Sequence, residues 1–331
     1  MKYKIIYVER RAFESVSIER VFDQIAADLP QDRFETGIQK MPYGNGFLDI
    51  LGNLLFFRPN PGDIYHITGH VHYIALRLPK NKTVLTVHDL VFLHRRSGIR
   101  RFLLKKLFLD LPIRKLGFIT AVSQATKDEI VKYTGCDPKK IRVIENPLID
   151  GFDPTPLKPF DEKHPVILQI GTAANKNVPN LIKALRGLNC KLRIIGRLDA
   201  GMREELANNA VEFENIFDLD QEAMVKEYRN ADIVAFCSTY EGFGLPIIEA
   251  QAMRTPVITS DLSPMKEVAG AGACLADPND PASIQNGLIR IINEPAYRDE
   301  LIQKGAENAL RFNAKNAAMQ YADLYELMLK G

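Results

Sequence analysis

The amino-acid sequence predicts an α/β protein made of two Rossmann-like, doubly wound domains that face each other across a cleft. The chain has 331 residues, a length that corresponds to about two domains. Short apolar segments rich in β-branched residues alternate with helical patterns, which is typical of parallel sheets covered on both faces. This alternation breaks at residues 153–165, where four prolines mark a linker, and then starts again.

The first domain is expected to span residues 1–155. Apolar residues recur at helical spacing from Ile18 to Leu29, and Pro30 ends that helix. A further helix is expected at about 124–133, directly after Ser123. The predicted strands of this domain are 3–8, 63–68, 83–87, 118–122 and 141–144.

The second domain is expected to span residues 156–331. Helices are expected at 178–188, after Pro246 and from about Asp280 onward, and the last helix is a candidate to pack back onto the first domain. Ligands of doubly wound sheets bind outside the carboxyl ends of the strands, so functional residues are expected there. The predicted strands are 166–170, 191–195, 232–236 and 256–259, with a turn and strand of small residues at 268–276.

Composition excludes several classes of protein. With 46% hydrophobic and 25% charged residues, the chain is an ordinary globular protein rather than a disordered or collagen-like one. No apolar run reaches the roughly 18 residues of a membrane span, and the N-terminus is too short in apolar residues for a signal peptide. The four cysteines are scattered, which argues against a disulfide framework or zinc site and favours a cytoplasmic location.

Charge is divided unevenly between the two halves. Residues 1–155 hold 24 Lys and Arg against 17 Asp and Glu, whereas the remainder is net acidic. Residues 94–108 carry six Lys and Arg among large apolar side chains, a pattern that suits contact with an anionic membrane surface on the inner face. A helix with a core-facing side and a solvated basic side explains the same pattern. Nothing resembles a nucleic-acid-binding module.

The most informative segment follows the predicted strand 232–236. Gly242 and Gly244 allow a tight turn, and Pro246 suits the first position of a helix. Such a helix N-terminus attracts phosphate through its N–H groups and its dipole. Glu241 before the turn and Glu249 inside the helix place carboxylates on either side, and carboxylates bind vicinal hydroxyls of sugars and ribose. The alternative is an ordinary glycine turn with two exposed acids.

These residues resemble those of a known family. The spacing of Glu241 and Glu249 matches the E-x7-E signature of retaining glycosyltransferases of GT-B fold, and the surrounding sequence resembles family-4 glycosyltransferases (glycosyl transferases group 1). The resemblance covers most of residues 60–315. It extends over Gly171-Thr, Lys176-Asn177, Pro256-Val-Ile-Thr-Ser, Glu267-Val, Val87-His88-Asp89, Ala121-Val-Ser123 and Asn146-Pro147.

The resemblance implies an activity. It implies a hexosyltransferase that moves a sugar from a UDP- or GDP-linked donor to a glycan or glycolipid acceptor, with retained anomeric configuration and no metal or other cofactor. The acceptor would bind mainly on the first domain. The resemblance also implies a role in polysaccharide or lipopolysaccharide biosynthesis. Two alternatives remain: a nucleotide-sugar-binding protein without transferase activity, and a GT-B epimerase or phosphorylase. A dinucleotide dehydrogenase is excluded because neither half carries G-x-G-x-x-G after its first strand.

The resemblance also assigns roles to residues. Glu249 would hold the ribose hydroxyls, Glu241 would touch the transferred sugar, and Lys176 would pair with the diphosphate, whose growing negative charge needs a cation where no metal is present. His88 would bond a sugar hydroxyl or the acceptor once the domains close on each other. The other predicted donor contacts are Gly171, Thr172, Arg197, Ile216 for the base, Gly242, Phe243, Gly244 and Leu245.

Several other polar residues allow more than one interpretation. His66, His70 and His72 give a weak metal signal and are expected to be cleft-lining or surface residues. Asp218 and Asp220 have the D-x-D spacing of metal-dependent transferases, but their place before a helix favours capping. The family usually has a glycine-rich loop after the first strand. Here Glu9-Arg10-Arg11 stands there instead, and these arginines suit either an anionic acceptor or the plain surface.

Overall fold

The computed structural model describes residues 2–11, 17–44, 46–155 and 158–330. It divides into two compact units, Met1–Ile149 with Asn313–Gly331, and Asp150–Phe312. The second unit begins a few residues before the predicted boundary at 155, and the C-terminal helix belongs to the first unit. Each unit is built on one six-stranded sheet whose paired strands are parallel.

The first unit contains a parallel sheet with the strand order β2-β1-β3-β4-β5-β6. Its strands are β1 Tyr3–Glu9, β2 Phe34–Lys40, β3 Ile64–Ile67, β4 Thr83–Val87, β5 Phe118–Ala121 and β6 Ile141–Val143. Its helices are α1 Ser17–Asp28, α2 Phe47–Phe56, α3 Val91–His94, α4 Gly98–Lys105, α5 Leu111–Lys115, α6 Gln124–Thr134 and α14 Ala314–Lys330. Between α4 and α5 the chain keeps a helical path through a π-turn at Lys106–Asp110, and a 3₁₀ turn spans His72–Arg77.

Helices cover both faces of the first sheet. On one face Phe22 of α1 packs edge-on against Tyr7 and lies 5.7 Å from Tyr321 of α14, measured between ring centroids. On the other face, α2, α5 and α6 pack with the strands into a single hydrophobic core. They bury Ile50, Ile113 and Ile130, respectively, in that core. Strands β3, β4 and β5 are therefore buried on both faces, apart from the half-buried Phe118 at the start of β5.

The second unit has the strand order β12-β11-β10-β7-β8-β9. Its strands are β7 Val166–Ile170, β8 Lys191–Ile195, β9 Glu212–Ile216, β10 Ile233–Phe236, β11 Val257–Ser260 and β12 Cys274–Ala276. Its helices are α7 Val178–Ala184, α8 Ala200–Asn208, α9 Gln221–Asn230, α10 Leu245–Ala252, α11 Met265–Ala269, α12 Pro281–Asn293 and α13 Pro295–Ala309.

The predicted doubly wound α/β class is confirmed in both units. Helix α7 ends at Ala184, earlier than the predicted Leu188, because the chain turns through Gly187, whose φ of 79° is left-handed. Each sheet also has a topological switch point, where the strand order reverses. It lies between β1 and β3 in the first sheet and between β7 and β10 in the second. Ligands of open α/β sheets bind beside such points, at the carboxyl ends of the strands.

Candidate functional site

The switch point of the second sheet brings two of the predicted loops together. Gly171 directly follows β7, and the loop 237–244 follows β10, the neighbour of β7 in the sheet. Because the two strands diverge into connections that run in opposite directions, a crevice opens between their carboxyl ends. Lys176 and Glu241 come from these two loops.

Lys176 and Glu241 form an ion pair in this crevice. The distance from Lys176 Nζ to Glu241 Oε1 is 2.7 Å, and the side chains are 20% and 14% exposed. The lysine ammonium also lies 4.6 Å from the centre of the Phe236 ring, within the range of a cation–π contact. The cation and the carboxylate expected to touch different parts of a donor therefore lie side by side.

Gly171 makes room for the lysine. Its φ is 84°, a backbone conformation that favours glycine. A Cβ atom at this position would lie 3.1 Å from Lys176 Cε and 3.2 Å from Lys176 Cγ. The aliphatic part of the lysine thus rests directly on the glycine backbone, and a side chain at 171 would displace it.

Asn175 fixes the lysine loop to the loop after β10, and sequence analysis did not identify it. Its side-chain amide donates to the carbonyl oxygen of Tyr240 at 2.9 Å and to Glu241 Oε1 at 3.3 Å. Its own carbonyl oxygen accepts from the Thr239 N–H at 2.8 Å. These contacts span more than sixty residues of sequence, so no local pattern indicates them.

The turn before α10 has the predicted geometry of a helix N-terminus. Gly244 precedes the helix with a φ of 118°, and Pro246 lies in its first turn. Since glycine has no side chain, Gly244 cannot cap the first N–H groups of α10. The Phe243 side chain is buried against Phe312, with 5.7 Å between ring centroids, so this residue presents its backbone rather than its ring. Gly242 is buried and Leu245 half-buried.

Glu249 is held by a tyrosine that the sequence did not indicate. Its Oε2 accepts a short hydrogen bond from the Tyr228 hydroxyl of α9. Tyr228 is fully buried, and burial together with the nearby carboxylate raises its pKa well above the usual value, so the phenol stays protonated. The Glu249 carboxylate is therefore the acceptor of this bond.

The remaining predicted donor residues lie at the carboxyl ends of β7, β8 and β9. The Thr172 hydroxyl donates to the carbonyl oxygen of Arg197 at 2.8 Å. The Arg197 guanidinium is exposed, pairs with Asp218 at 2.6 Å and covers the Phe217 ring. Ile216 is half-buried at the end of β9. The Arg197 guanidinium is therefore paired with Asp218 in this structure.

The D-x-D motif is divided between two roles. Asp220 caps α9, accepting from the Ala223 N–H at 2.8 Å, so the capping interpretation is confirmed for this residue. Asp218 has a φ of 59° and pairs with Arg197. Within residues 2–11, 17–44, 46–155 and 158–330, no group of three His, Cys, Asp or Glu side chains is arranged to hold a metal ion.

His88 directly follows the carboxyl end of β4 in the first unit and is buried. Its Nε2 is 2.8 Å from the carbonyl oxygen of Thr68, which only accepts, so Nε2 carries the proton and donates. Burial, with His70 nearby, lowers the pKa of His88 to about 3. The imidazole is therefore neutral at physiological pH, and Nδ1 is left as its acceptor nitrogen.

The expectation that the three other histidines line a cleft or the surface is wrong for His66 and His72. Both are fully buried, and burial lowers the pKa of His66 to about 3 and that of His72 to about 4. His66 is within 2.7 Å of the hydroxyls of Tyr325 and Thr86, and His72 Nδ1 donates to the Phe108 carbonyl at 2.9 Å. His66 thus joins the last helix to the sheet.

His70 is half-buried and stacks between two other histidine rings. Its ring centroid is 6.0 Å from those of His72 and His88, at interplanar angles of 16° and 27°. Its Nε2 lies 3.6 Å from Asp89 Oδ2. Arg10 and Arg11 are also engaged, Arg10 with Glu19 at 2.8 Å and Arg11 with the Pro42 carbonyl at 3.3 Å.

The basic segment 94–108 forms α4 and part of the following π-turn. No residue of α4 is buried, and Ile99, Phe102 and Leu103 are 76%, 63% and 55% exposed. Leu104 at the end of α4 is half-buried, and Leu107 and Phe108 of the π-turn pack against the core of the first unit. The alternative of a helix with a core-facing side therefore holds for the end of the segment and not for residues 94–103, which are all exposed. None of the helices in the described ranges has both the length and the hydropathy that a membrane span requires.

Two family models match successive parts of the chain. The model described as Glycosyltransferase Family 4 matches residues 40–149, and the model described as Glycosyl transferases group 1 matches residues 156–308. Each match lies within one of the two units, and the second contains the whole Lys176 and Glu241 site. The chain is a family-4 glycosyltransferase.

Two relatives of this glycosyltransferase are named O-antigen chain mannosyltransferases. The O-antigen chain mannosyltransferase B of Escherichia coli is 26% identical over 80% of this chain and 74% of its own length. The O-antigen chain mannosyltransferase RfbU of Salmonella typhimurium is 30% identical over 67% of this chain and 64% of its own length. The similarity confirms that the glycosyltransferase is an enzyme of the transferase class.

Solved structures confirm the fold of this glycosyltransferase. The crystal structure of Anabaena Alr3699/HepE in complex with UDP-glucose matches with a TM-score of 0.77 and 17% sequence identity. The match covers 98% of this chain and 99% of that one. The predicted GT-B fold, with its two Rossmann-like sheets, is confirmed.

Proposed function

We propose that this enzyme transfers a hexose from a UDP- or GDP-linked donor to a glycan or glycolipid acceptor, with retention of anomeric configuration and without a metal ion. The observation that carries the proposal is the Lys176–Glu241 pair, seated on Gly171 at the switch point of the second sheet. A cation and a carboxylate 2.7 Å apart suit a ligand with a diphosphate next to a polyhydroxylated ring.

The reacting bond joins the anomeric carbon of the sugar to the diphosphate. As this bond breaks, negative charge grows on the leaving oxygen, and Lys176 with the N-terminus of α10 would stabilise it. In a front-face transfer the acceptor hydroxyl attacks from the side on which the diphosphate departs and gives its proton to the leaving oxygen. Glu241 would hold hydroxyls of the sugar meanwhile, and configuration is retained because entry and departure share one face.

The other predicted residues complete the donor site. Glu249 would accept from the ribose hydroxyls, and the backbone at Phe243, Gly244 and Leu245 would meet the sugar and its phosphate. At the ends of the outer strands, Ile216 would contact the base. In the first unit, the acceptor nitrogen of His88, Nδ1, would bind a hydroxyl of the sugar or of the acceptor. Thr172 and Arg197 have a supporting role, since they bond to each other or to Asp218.

The identity of the donor can be tested by thermal shift. UDP- and GDP-linked hexoses, mannose included, would be screened because the O-antigen relatives are mannosyltransferases and the HepE structure holds UDP-glucose. A donor at about 100 times its dissociation constant stabilises the folded protein by about 2.7 kcal/mol. We expect one donor to shift wild type and not Lys176→Ala. A screen with no shift for any nucleotide sugar would contradict the proposal.

We further propose that α4 contacts an anionic membrane, where a lipid-linked acceptor would be found. The segment from Leu90 to Leu109 has six Lys and Arg and no Asp or Glu. Its exposed apolar residues Ile99 and Phe102 lie on one side of α4, three positions apart. Helix α2, on the same face of the sheet, exposes a further apolar stripe at Phe47, Leu48, Leu51 and Leu55.

Vesicle sedimentation tests the membrane contact. Vesicles of phosphatidylcholine with phosphatidylglycerol should bind the wild-type protein, and pure phosphatidylcholine vesicles should not, because each basic residue near the surface contributes about 1 kcal/mol. Replacing both Arg100 and Arg101 by Gln, or Phe102 by Ser, should weaken the binding. Leu310→Ser, at an exposed leucine of the second unit, is the control. Equal binding by all variants would contradict the assignment.

A further inference from the structure

The Tyr228 hydroxyl donates a hydrogen bond to Glu249 Oε2, and the mechanism above does not use this bond. The tyrosine lies on α9 and the glutamate on α10, 21 residues later in the sequence. A phenol has two side-chain torsions and is rigid once buried. Its hydrogen bond therefore restricts the orientation of the carboxylate that accepts it.

The surroundings of Tyr228 keep its ring in one place. It is fully buried, and the Phe152 ring packs against it edge-on, with 5.3 Å between centroids and an interplanar angle of 86°. The segment that carries Phe152 is itself bound to α9, since Gln221 Nε2 donates to the Asp150 carbonyl at 2.7 Å. The Tyr228 ring is therefore held in position by its surroundings while its hydroxyl donates to Glu249.

We infer that Tyr228 is a positioning residue: its hydroxyl holds the Glu249 carboxylate in the orientation that accepts both hydroxyls of the donor ribose. A carboxylate has about four acceptor sites, so the bond from Tyr228 leaves capacity for a diol. Recognition of two adjacent hydroxyls depends on the plane of the carboxylate more than recognition of one does. This inference rests on the proposed role of Glu249.

The test compares nucleotides that differ only in the ribose. Calorimetry would measure the dissociation constants of UDP and GDP and of their 2′-deoxy forms, for wild type, Tyr228→Phe, Glu249→Ala and the double variant. We expect wild type to prefer the ribose form of its nucleotide by about tenfold or more, which corresponds to about 1.4 kcal/mol. Glu249→Ala should lose this preference. Tyr228→Phe should reduce it about three- to tenfold and leave the affinity for the 2′-deoxy form unchanged.

The outcomes separate the inference from the proposed function. If Glu249→Ala keeps the ribose preference, the proposed role of Glu249 is wrong. If Glu249→Ala loses the preference but Tyr228→Phe keeps it, or if Tyr228→Phe weakens the ribose and 2′-deoxy forms equally, the inference about Tyr228 is wrong. The double variant should show the same ratio of ribose to 2′-deoxy affinity as Glu249→Ala alone, because the tyrosine acts through the glutamate. Tyr297→Phe, in the same unit, is the matched control.

Discussion

Lys176 Nζ lies 2.7 Å from Glu241 Oε1, so two residues with different proposed tasks in the donor site neutralise each other. A diphosphate that approaches the lysine competes with the glutamate for the same cation. In the proposed donor site the ion pair would therefore lower the affinity for a free nucleoside diphosphate. It also keeps the lysine in place over Gly171 before a donor arrives.

Replacing Glu241 by Gln should therefore separate binding from turnover. We expect UDP or GDP to bind about two- to fivefold more tightly, because a partly exposed pair is worth up to about 1 kcal/mol and its loss leaves the lysine to the phosphates. Turnover should fall, because the contact with the sugar is weakened. Lys176→Ala should lower both quantities. Weaker binding of the nucleotide by Glu241→Gln would contradict this account of the pair.

Two glycines offer a matched test of whether the contact between Gly171 and the Lys176 side chain matters for binding. Gly171 and Gly187 have φ values of 84° and 79°, so alanine at either site costs similar backbone strain, about 1–2 kcal/mol. A Cβ at Gly187 would meet nothing within 4 Å, whereas a Cβ at Gly171 would meet the lysine chain. We expect both variants to lose similar stability in urea unfolding. Only Gly171→Ala should bind nucleotide more weakly than wild type. If the two variants bound nucleotide equally well, the proposed role of the Gly171–Lys176 contact would be refuted.

The strands that sequence analysis predicted are mainly those buried on both faces. Every residue of strands β4 and β10 is buried, because helices cover both faces of each sheet at these central positions. The missed strands β2 and β9 lie at the sheet edges, and their sequences, Phe-Glu-Thr-Gly-Ile-Gln-Lys and Glu-Phe-Glu-Asn-Ile, carry exposed charges. An edge strand is partly solvated, so its sequence lacks the apolar run that predicts a buried strand.

The residues of the proposed donor site could be predicted where a local motif carries them. Glu241, Gly244 and Glu249 occur within nine residues, and their chemistry follows from a glycine turn before a helix. Asn175 and Tyr228 were not predictable, because each contacts its partner across a turn of the tertiary fold. His66 was misplaced for the same reason, since Tyr325, the residue that buries and bonds it, is 259 positions away.

The buried histidines predict a loss of stability in mild acid. His66, His72 and His88 have lowered pKa values, so the unfolded chain binds protons that the folded chain does not. Their contribution is complete above pH 6.5 and falls by about 1.4 kcal/mol per group for each pH unit below it. Glu9, whose pKa burial raises to about 7, has the opposite sign between pH 4.5 and 7. Since Glu9 offsets about one of the three histidines, the free energy of unfolding should fall by about the contribution of two histidines.

Urea unfolding at pH 7.5 and pH 5.5, followed by tyrosine circular dichroism, measures this effect. The midpoint should fall at the lower pH. His88→Gln should reduce the change, and His164→Gln, at an exposed histidine of the second unit, should not. A midpoint that rises on acidification would show that the histidines are not neutral in the folded protein.

His88 should matter for turnover more than for donor binding. Because the proposed diphosphate and ribose contacts all lie in the second unit, His88→Ala should leave the nucleotide affinity almost unchanged and cut turnover by about 10²-fold or more. His88→Asn keeps a donor for the Thr68 carbonyl and guards against misfolding, which the melting temperature would report. Full turnover by a folded His88→Asn would make the histidine structural.

The central claim is retention of configuration by a site that uses Lys176 instead of a metal. Proton NMR of the first product formed from an α-linked UDP- or GDP-hexose in the presence of EDTA tests it most directly. We predict an α-configured product at an undiminished rate from wild type, and none from Lys176→Ala. A β-configured product, or activity that EDTA abolishes and manganese restores, would contradict the claim, and the second result would make Asp218 and Asp220 candidate ligands.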